Sequence, residues 1–275
     1  MKGVLIFGEG YIGTKLQKFL NCEITDKHIK QYSDIQDEID RYKPKIIINA
    51  IGYTGYPNVD ECENNIDKTM HANVCIPALL AEAVARNNVR LVHISSGCIF
   101  EFDHSQDKPI EEKKEPDYMS LFYSRSKIYS EKILTIKGLE KNILVLRIRI
   151  PLDCRSNPKN VLNKLIKYKK IIDIPNSVTY IPDFLKATKH LIAIKAFGIY
   201  NVVNKGGLRY PQLLDVYRKH RPDFNYEIVN LKKILKTPRT NLVLSTKKLE
   251  STGFKVRKVN EILEECVAKF CKEVK

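Results

Sequence analysis

Short apolar runs alternate with amphipathic segments through the first half of the chain. The apolar runs predict buried strands, and they cover residues 3–7, 22–25, 45–52, 89–96 and 142–150. Helical spacing of apolar residues fills the segments between them, at residues 11–20, 33–42, 64–74, 76–85 and 123–134. Strands without simple polar alternation, separated by helices, are typical of a parallel sheet covered on both faces. The pattern therefore predicts an α/β fold, a Rossmann-type doubly wound parallel sheet.

The second helical segment opens with a capping signal. Ser33 stands at its start and Gln36 follows three residues later, which is the spacing of a capping box. This pair predicts a helix that begins directly after Ser33.

The pattern changes after Pro151. Residues 156–170 predict a basic helix, and residues 177–194 predict a short extended piece that leads into another helix. The tail has the pattern of a small helical lobe. We therefore expect a dinucleotide-binding Rossmann domain and a smaller C-terminal substrate-binding lobe. The expected domains are residues 1–150, completed by part of 177–204, and the lobe mainly within 151–275.

Composition excludes several classes of protein. The chain has 275 residues, 43% of them hydrophobic, with 12 glycines and 12 prolines, as in an ordinary globular protein. No apolar run is long enough to span a bilayer. Seven cysteines without a C-x-x-C pair argue against both a disulfide framework and a zinc site. We expect a cytoplasmic protein of a reducing compartment, with no metal and no membrane partner.

The net charge of +15 raises the question of a nucleic-acid partner, because a basic face attracts phosphates. The lysines, however, are spread along the chain among acidic residues, and no arginine-aromatic platform is present. A solvated lysine surface is the favoured interpretation, so we expect no nucleic-acid partner.

A glycine motif follows the first predicted strand directly. Gly8, Gly10 and Gly13 form G-x-G-x-x-G, in which the first two glycines allow a tight turn and close approach of a pyrophosphate. The third glycine lets the following helix pack on the strand, with its amide-rich N-terminus toward the phosphates. Position between a strand and a helix strengthens the interpretation as a dinucleotide site. The predicted cofactor contacts of this strand edge are Gly8, Gly10, Tyr11, Ile12, Gly13, Asn49 and Ala50.

The choice of dinucleotide stays open at this level. Asp26 could accept a hydrogen bond from a ribose hydroxyl and favour NAD, whereas Lys27, His28 and Lys30 could hold a 2′-phosphate.

A Y-x-x-x-K pair and a serine at a strand end add a catalytic hypothesis. Tyr123 and Lys127 are spaced to share one helix face, and a neighbouring ammonium favours the phenolate of a tyrosine. Such a tyrosine can protonate a carbonyl oxygen while hydride arrives at carbon. Ser96, at the end of the fourth predicted strand, supplies a second hydrogen bond to that oxygen. Together with the glycine loop, this set predicts a carbonyl reductase.

These residues also carry a family resemblance. The sequence resembles the extended short-chain dehydrogenases/reductases, and within them it is similar to the dTDP-4-dehydrorhamnose reductase branch and the plant-type UDP-4-keto-6-deoxyglucose 3,5-epimerase/4-reductases. The glycine loop is one residue shorter than the G-x-x-G-x-x-G that the family often has. The matching segments are GYTGYPNVDECE, SGCIFEFD, FYSRSK, VLRIRIP, NPKN, IDIPNSVT and GIYNVVN.

The resemblance implies roles for individual residues. Ser96, Tyr123 and Lys127 would be the reductase triad, and Asn73 would be the family's helix asparagine. The implied cofactor is NADPH, with NADH as the alternative. The implied partners are a UDP-sugar substrate and a second copy of the chain in a homodimer.

A thiol two residues beyond the triad serine suggests a further reaction. The C4 ketone acidifies the protons at C3 and C5, and a thiol with a reference pKa of about 8.5 can exchange them. Cys98 occupies the position where the GDP-fucose synthases have their acid/base cysteine. Inversion needs a second group on the other face of the sugar, and the resemblance implies Lys164. The predicted function is a bifunctional 3,5-epimerase/4-reductase that converts UDP-4-keto-6-deoxy-D-glucose to UDP-L-rhamnose.

Three further residues are candidates for the substrate's nucleotide diphosphate. Arg239 has the fork that pairs with phosphate oxygens, Asn160 is a candidate for the nucleotide side, and Arg149 is a candidate for either binding or packing. The alternatives to a bifunctional enzyme are a 4-reductase alone, a non-catalytic dinucleotide-binding regulator and a basic nucleic-acid binder.

Overall fold

The computed structural model describes residues 1–230 and 240–273, which fall into two units. The first unit contains Met1–Ile99, Pro116–Arg147 and Thr188–Tyr200. The second unit contains Phe100–Glu115, Ile148–Ala187 and the described part of 201–275.

Strands and helices alternate along the chain. The strands are β1 (Val4–Phe7), β2 (Glu23–Thr25), β3 (Ile46–Asn49), β4 (Arg90–Ser96), β5 (Ile143–Ile148), β6 (Pro151–Leu152), β7 (Lys170–Ile171), β8 (Thr179–Tyr180), β9 (Gly198–Asn201) and β10 (Glu227–Ile228). The helices are α1 (Tyr11–Leu20), α2 (Tyr32–Tyr42), α3 (Glu61–Asn64), α4 (Ile66–Met70), α5 (Ile76–Asn87), α6 (Phe122–Leu134), α7 (Val161–Leu165), α8 (Ile181–Ala193), α9 (Tyr210–His220), α10 (Lys247–Glu250) and α11 (Val259–Glu273). A π-helical turn occupies His71–Cys75, and a 3-10 turn occupies Glu140–Asn142.

A six-stranded sheet forms the centre of the first unit, in the order β2-β1-β3-β4-β5-β9. The pairs β1-β2, β1-β3 and β3-β4 are all parallel. All four residues of β1 are buried, and Leu5 and Phe7 belong to a core cluster that includes residues of α2 and α5. Because side chains alternate along a strand, Val4 and Ile6 fill the opposite face of the sheet. The predicted doubly wound α/β fold is confirmed.

The second unit has its own apolar core. Residues of α7, α9 and α11 form one buried cluster with residues of β6 and β8, which pair in parallel. The segment Phe100–Glu115 belongs to this unit, because Ile110 forms a bridge with Leu244 and accepts a backbone hydrogen bond from Ser245. The prediction that residues 1–150 form one domain did not include a segment of the second unit within that range, and the domain boundary at residue 150 stays a prediction.

Three sequence-based helix bounds differ from the structure. The capping box at Ser33 is wrong: α2 begins at Tyr32, and the Asp34 carboxylate accepts the Gln31 amide at 3.0 Å. The basic helix over 156–170 is reduced to α7, because the chain before it is a loop tied together by Asn160, the N-cap residue. The single helix expected at 64–74 is divided between α3, α4 and the π-helical turn.

An ion-pair cluster joins α8 to α11 in the second unit. The Arg257 guanidinium donates to Asp183 at 2.6 Å and to Glu265 at 2.6 Å, and Lys269 also donates to Glu265 at 2.6 Å. Asn204 donates to Asp183 at 2.8 Å. The Lys269 ammonium, followed by the Arg257 guanidinium, lowers the pKa of the Glu265 carboxyl to about 2. The cluster therefore ties the C-terminal helix to the rest of the unit.

We predict that Arg257→Gln lowers the free energy of unfolding by about 2 kcal/mol, because it removes the guanidinium that pairs with the partly buried Asp183 carboxylate and leaves Glu265 with Lys269 as its cation. Urea denaturation at neutral pH measures the change. The exposed Lys255→Gln is the matched control and should stay within about 0.5 kcal/mol of wild type.

The same comparison has a predicted pH dependence. The pKa of Glu265 is about 2 in the folded chain and about 4.3 in an unfolded one, so its stabilisation is complete above the unfolded value. It is lost as the pH falls from about 4 toward about 2. The difference in free energy of unfolding between wild type and Arg257→Gln should therefore be smaller at pH 3.5 than at pH 6. An equal difference at both pH values would contradict the assignment of this stabilisation to the Arg257–Glu265 ion pair.

Candidate active site

Three strands of the first unit end at the same edge of the sheet. Phe7 at the end of β1 pairs with Asn49 at the end of β3, and Asn49 pairs with His93, three residues before β4 ends at Ser96. The carboxyl edge of an open parallel sheet is where ligands bind in this architecture. The loops that follow these strands therefore define the candidate site.

The glycine loop after β1 is shaped by close backbone approach. Gly8 has φ +106°, and a Cβ placed on it would lie 2.8 Å from the amide nitrogen of Ile51. A Cβ on Gly13 would overlap the carbonyl oxygen of Gly8 and lie 3.3 Å from the Cβ of Ala50. No atom lies within 4 Å of a Cβ placed on Gly10, next to the N-terminus of α1. This open cradle of backbone at a helix N-terminus fits the pyrophosphate of a dinucleotide.

The other predicted cofactor contacts lie around this loop. Tyr11 begins α1, with the Lys15 ammonium 5.3 Å from its ring centre, and Ile12 is half-buried beside it. Asn49 is fully buried: its oxygen accepts from the Ile51 amide at 3.0 Å, and its amide nitrogen contacts Nδ1 of His93 at 3.0 Å. Asn49 therefore stabilises the loop after β3 through its hydrogen bond with Ile51, and contact of Asn49 with a cofactor stays a prediction.

The end of β2 carries both candidates for recognition of the adenosine ribose. Asp26 is exposed directly after Thr25, whose backbone pairs with Phe7. The Lys27 ammonium turns to α2, where it lies 3.6 Å from Asp34 and 3.4 Å from Asp37. The choice between a hydrogen bond that Asp26 accepts from a ribose hydroxyl and binding of a 2′-phosphate by the basic residues therefore stays open.

Helix α6 presents the tyrosine and the lysine one turn apart. Tyr123 is 8% exposed and Lys127 is 4% exposed. Burial lowers the pKa of Lys127 to about 8, and the Glu131 carboxylate opposes this shift. An ammonium in so dry a place has a strong field on its surroundings, which is what activation of a nearby phenol requires.

Asn73 fastens α6 to the loop after β3. It lies in the π-helical turn, accepts from the Tyr53 amide at 2.8 Å and donates to the Tyr53 carbonyl at 3.0 Å. It also donates to Ser126 Oγ at 3.0 Å, and Ser126 donates to the Tyr123 carbonyl at 2.7 Å. A Cβ on Gly52 would lie 3.5 Å from both Asn73 Oδ1 and Lys127 Nζ. The asparagine oxygen and the lysine ammonium therefore both border Gly52.

Cys98 follows Ser96, the serine of the predicted triad, in a tight turn. Ser96 is buried at the end of β4, and its Oγ accepts the Cys98 amide at 3.1 Å. Cys98 itself is half-buried. The hydrogen bond fixes the thiol residue relative to the hydroxyl that the reductase hypothesis uses.

The remaining predicted residues belong to the second unit. Lys164 lies in α7 with its side chain exposed, and partial desolvation of its ammonium, together with Lys159, lowers its pKa. Asn160 is buried, and its amide makes four hydrogen bonds within its own loop. Arg149 is also buried and donates to Asn176 and to the Thr240 carbonyl. These contacts give Asn160 and Arg149 packing roles, and binding by either stays a prediction.

Arg239 lies outside the described residues.

Sequence analysis missed a buried polar cluster next to the lysine. Glu131, four residues after Lys127, accepts from Ser95 at 2.5 Å and from Arg147 at 2.6 Å. The spacing Y-x-x-x-K-x-x-x-E could have identified Glu131 as a member of the same helix face. Arg147 gave no such signal, because it stands in an apolar strand.

Other kinds of site are absent from residues 1–230 and 240–273. They contain no group of three or more histidine, cysteine or acidic residues able to hold a metal ion. None of the seven cysteines, all of them described, forms a disulfide. Within the same ranges no helix combines the length and apolarity needed to cross a membrane.

Known proteins match the chain over most of its length. A bifunctional dTDP-4-dehydrorhamnose 3,5-epimerase/dTDP-4-dehydrorhamnose reductase of Arabidopsis thaliana is 32% identical over 274 residues, covering 94% of this chain and 90% of the relative. Trifunctional plant proteins that contain epimerase and reductase activities also match, and the chain spans about two fifths of their length.

Solved structures agree with the fold. The L780 UDP-rhamnose synthase of Acanthamoeba polyphaga mimivirus has a TM-score of 0.90 at 27% identity, covering 97% of this chain and 98% of that one. The dTDP-4-dehydrorhamnose reductase of Bacillus anthracis, solved in complex with NADP, has a TM-score of 0.82 at 23% identity, covering 98% and 99%. The family described as the RmlD substrate-binding domain matches residues 1–208. The predicted resemblance is therefore confirmed, and the chain belongs to the RmlD substrate-binding domain family.

Proposed function

We propose that this chain is a bifunctional enzyme that epimerises C3 and C5 of UDP-4-keto-6-deoxy-D-glucose and then reduces C4, giving UDP-L-rhamnose. The observation that carries the proposal is the Ser96–Cys98 turn, which places a thiol residue next to the hydroxyl of a reductase site. The family membership supports the 4-ketoreductase part. A bifunctional plant relative of similar length supports the epimerase part.

The cradle at Gly8, Gly10 and Gly13 fits NADPH or NADH, since the open space at Gly10, next to the N-terminus of α1, lets a pyrophosphate approach the backbone closely. When bound, the reduced nicotinamide supplies a hydride to C4 of the sugar. The chain's own part is to bind and orient. The α1 N-terminus would bind the phosphates of the cofactor, and the Lys127 ammonium would hold its nicotinamide ribose.

In the reduction, two hydroxyl groups act on the C4 oxygen. Tyr123 donates a proton to it as negative charge develops, and Ser96 donates a hydrogen bond to it. Lys127 stabilises the phenolate that remains on Tyr123. These roles need an ionised Lys127 and a protonated Tyr123 in the same state.

In the epimerisation, the proton leaves carbon rather than arriving at oxygen. The Cys98 thiolate takes the proton at C3 or C5, and the electron pair of the broken C–H bond moves into the C4 carbonyl to give an enolate. Return of a proton to the opposite face of the carbon inverts it, and Lys164 is the proposed donor. Partial desolvation of its ammonium and the neighbouring Lys159 lower the pKa of Lys164, and this is the direction that favours proton donation.

Gly10→Ala tests the cofactor cradle. We expect it to fold like wild type, because its Cβ meets no atom within 4 Å, and to weaken NADPH and NADH binding at least tenfold, because that Cβ fills the space left for phosphate. Titration of the nicotinamide fluorescence measures binding, and thermal unfolding measures stability. Gly13→Ala is the comparison variant and should lose stability as well, since its Cβ overlaps the Gly8 carbonyl. Unchanged affinity in folded Gly10→Ala would remove the cradle from the cofactor site.

Cys98→Ala tests the epimerase. Incubated with the 4-keto sugar in heavy water without a reduced cofactor, wild type should incorporate deuterium at C3 and C5, and Cys98→Ala should not. Reduction of a substrate that is already epimerised should survive in Cys98→Ala. Mass spectrometry and NMR of the recovered sugar measure both outcomes.

Tyr123→Phe is the matched control for this experiment. It should lose reduction by about a thousandfold, because a lost general acid costs roughly 10²–10⁴ in rate. Deuterium exchange should be slower than in wild type but still measurable, because the Cys98 base and the Ser96 donor to the C4 oxygen remain. Wild type that reduces but incorporates no deuterium is a 4-reductase alone, and the epimerase proposal is then wrong. Wild type that neither exchanges nor reduces contradicts the whole proposal.

Lys164→Met tests the second proton-transfer group. We expect deuterium to wash in or out at one carbon face with little net inversion, and reduction of the epimerised substrate to persist. The neighbouring Lys167→Met, also exposed, is the control and should behave as wild type. Normal inversion in Lys164→Met would assign the second group elsewhere.

A further inference from the structure

A buried ion pair continues the helix face that carries Tyr123 and Lys127. Arg147 on β5 donates to the Glu131 carboxylate from Nε at 3.0 Å and from Nη2 at 2.6 Å. The two side chains are 1% and 4% exposed. Ser95 on β4 donates to the other carboxylate oxygen at 2.5 Å. These three donors hold the Glu131 carboxylate at one fixed place.

Stability alone does not explain this pair. Removing two charges from water costs several kcal/mol, and apolar residues of similar volume commonly replace buried ion pairs without loss of stability. A fold that keeps Arg147 and Glu131 in its core therefore has a use for the fixed charge. The residue one helical turn away on α6, Lys127, indicates what this charge does.

Glu131 lies four residues beyond Lys127, so the two side chains are neighbours on α6. The ammonium of Lys127 is buried, and burial lowers its pKa while Glu131 opposes that effect. Loss of the proton would remove the positive charge that the proposed reduction needs. The Glu131 carboxylate therefore offsets part of the effect of desolvation on the Lys127 ammonium.

The other titratable groups that face Lys127 add no comparable charge. Cys62 comes from α3, and burial raises the pKa of its thiol, which keeps it protonated. His93 comes from β4, and burial lowers its pKa well below the usual range, which keeps it neutral. Asn49 fixes its tautomer: the Asn49 oxygen accepts from Ile51, so its amide nitrogen donates to Nδ1, and the imidazole proton is on Nε2.

We propose that Glu131, held by Arg147 and Ser95, is a positioning residue of the ketoreduction that acts through Lys127 by keeping its ammonium charged beside Tyr123 and the nicotinamide ribose. The inference rests on the proposed reductase function and goes beyond it. It assigns the charge state of the lysine to a carboxylate that touches neither substrate nor cofactor.

Three variants separate charge from packing. Glu131→Gln keeps the shape and removes the anion, whereas Arg147→Lys disturbs the hydrogen-bonded fork and keeps both charges. Glu131→Gln/Arg147→Met removes both charges and leaves no unpaired ion in the core, so it is the variant expected to fold if Glu131→Gln does not. Thermal unfolding identifies the folded variants.

Two readouts are followed between pH 6.5 and pH 10. One is NADH affinity, measured by titration of NADH fluorescence, and the other is kcat/KM for reduction of the 4-keto sugar. In Glu131→Gln we expect the alkaline limb of both profiles to move about one pH unit toward acid, the shift that loss of one nearby opposite charge produces. In the double variant the limb should move in the same direction by less, because the Arg147 cation is lost together with the Glu131 anion. In Arg147→Lys the limb should stay in place although stability falls.

An unmoved limb in folded Glu131→Gln or in the folded double variant overturns the inference and leaves the pair a structural role. Failure of both variants to fold overturns it in the same way. The proposed function is judged separately on wild type: a chain that binds no dinucleotide and reduces no 4-keto sugar contradicts the reductase itself. A wild type that binds NADH with an alkaline limb sustains the reductase whatever the variants show.

Discussion

Keeping a charged lysine out of water is the constraint around which the first unit is arranged. Lys127 is almost fully buried, and desolvation of an ammonium is costly unless polar groups and opposite charge surround it. The Lys127 ammonium and Asn73 Oδ1 from the π-helical turn both border Gly52, and Glu131 follows Lys127 one turn along α6. π-helical turns recur at functional sites because the extra residue changes where side chains point. Here that turn carries the asparagine that bonds both backbone groups of Tyr53 and the Ser126 hydroxyl of α6.

The position of α6 is fixed from outside the helix. Its N-cap residue, Leu121, has no side-chain oxygen to accept the first free amides, and Glu63 of α3 supplies one instead, accepting the Phe122 amide at 2.6 Å. The same carboxylate lies 3.4 Å from Arg125. Because Tyr123 follows Phe122 directly, a carboxylate distant in sequence holds the start of the helix that presents the tyrosine. The site therefore depends on rigid strand ends and on one anchored helix.

How far the sequence predicts this arrangement depends on how local each signal is. Residues that are close in sequence determine the strands, the glycine loop and the Y-x-x-x-K pair, so patterns of a few positions suffice to predict them. The length of α7 is set by the Asn160 amide, which bonds backbone groups of its own loop, and no periodicity reveals that. The Glu131–Arg147 pair joins a helix to a strand through packing. An arginine within an apolar run is therefore seen as buried only once its partner is known.

Reduction and epimerisation place the same demand on the C4 oxygen, which is why one site can serve both in the proposed reaction. An enolate formed by proton removal at C3 or C5 and an alkoxide formed by hydride arrival both concentrate negative charge there. Donors placed for one, the hydroxyls of Ser96 and Tyr123, are placed for the other. The additional requirement is a base near the ring carbons, and the turn from Ser96 to Cys98 puts that residue next to an existing donor without a new element of structure. In the proposed reaction the thiol in that turn is therefore one of two additions to a reductase site, and Lys164, the donor to the opposite face of the ring carbon, is the other.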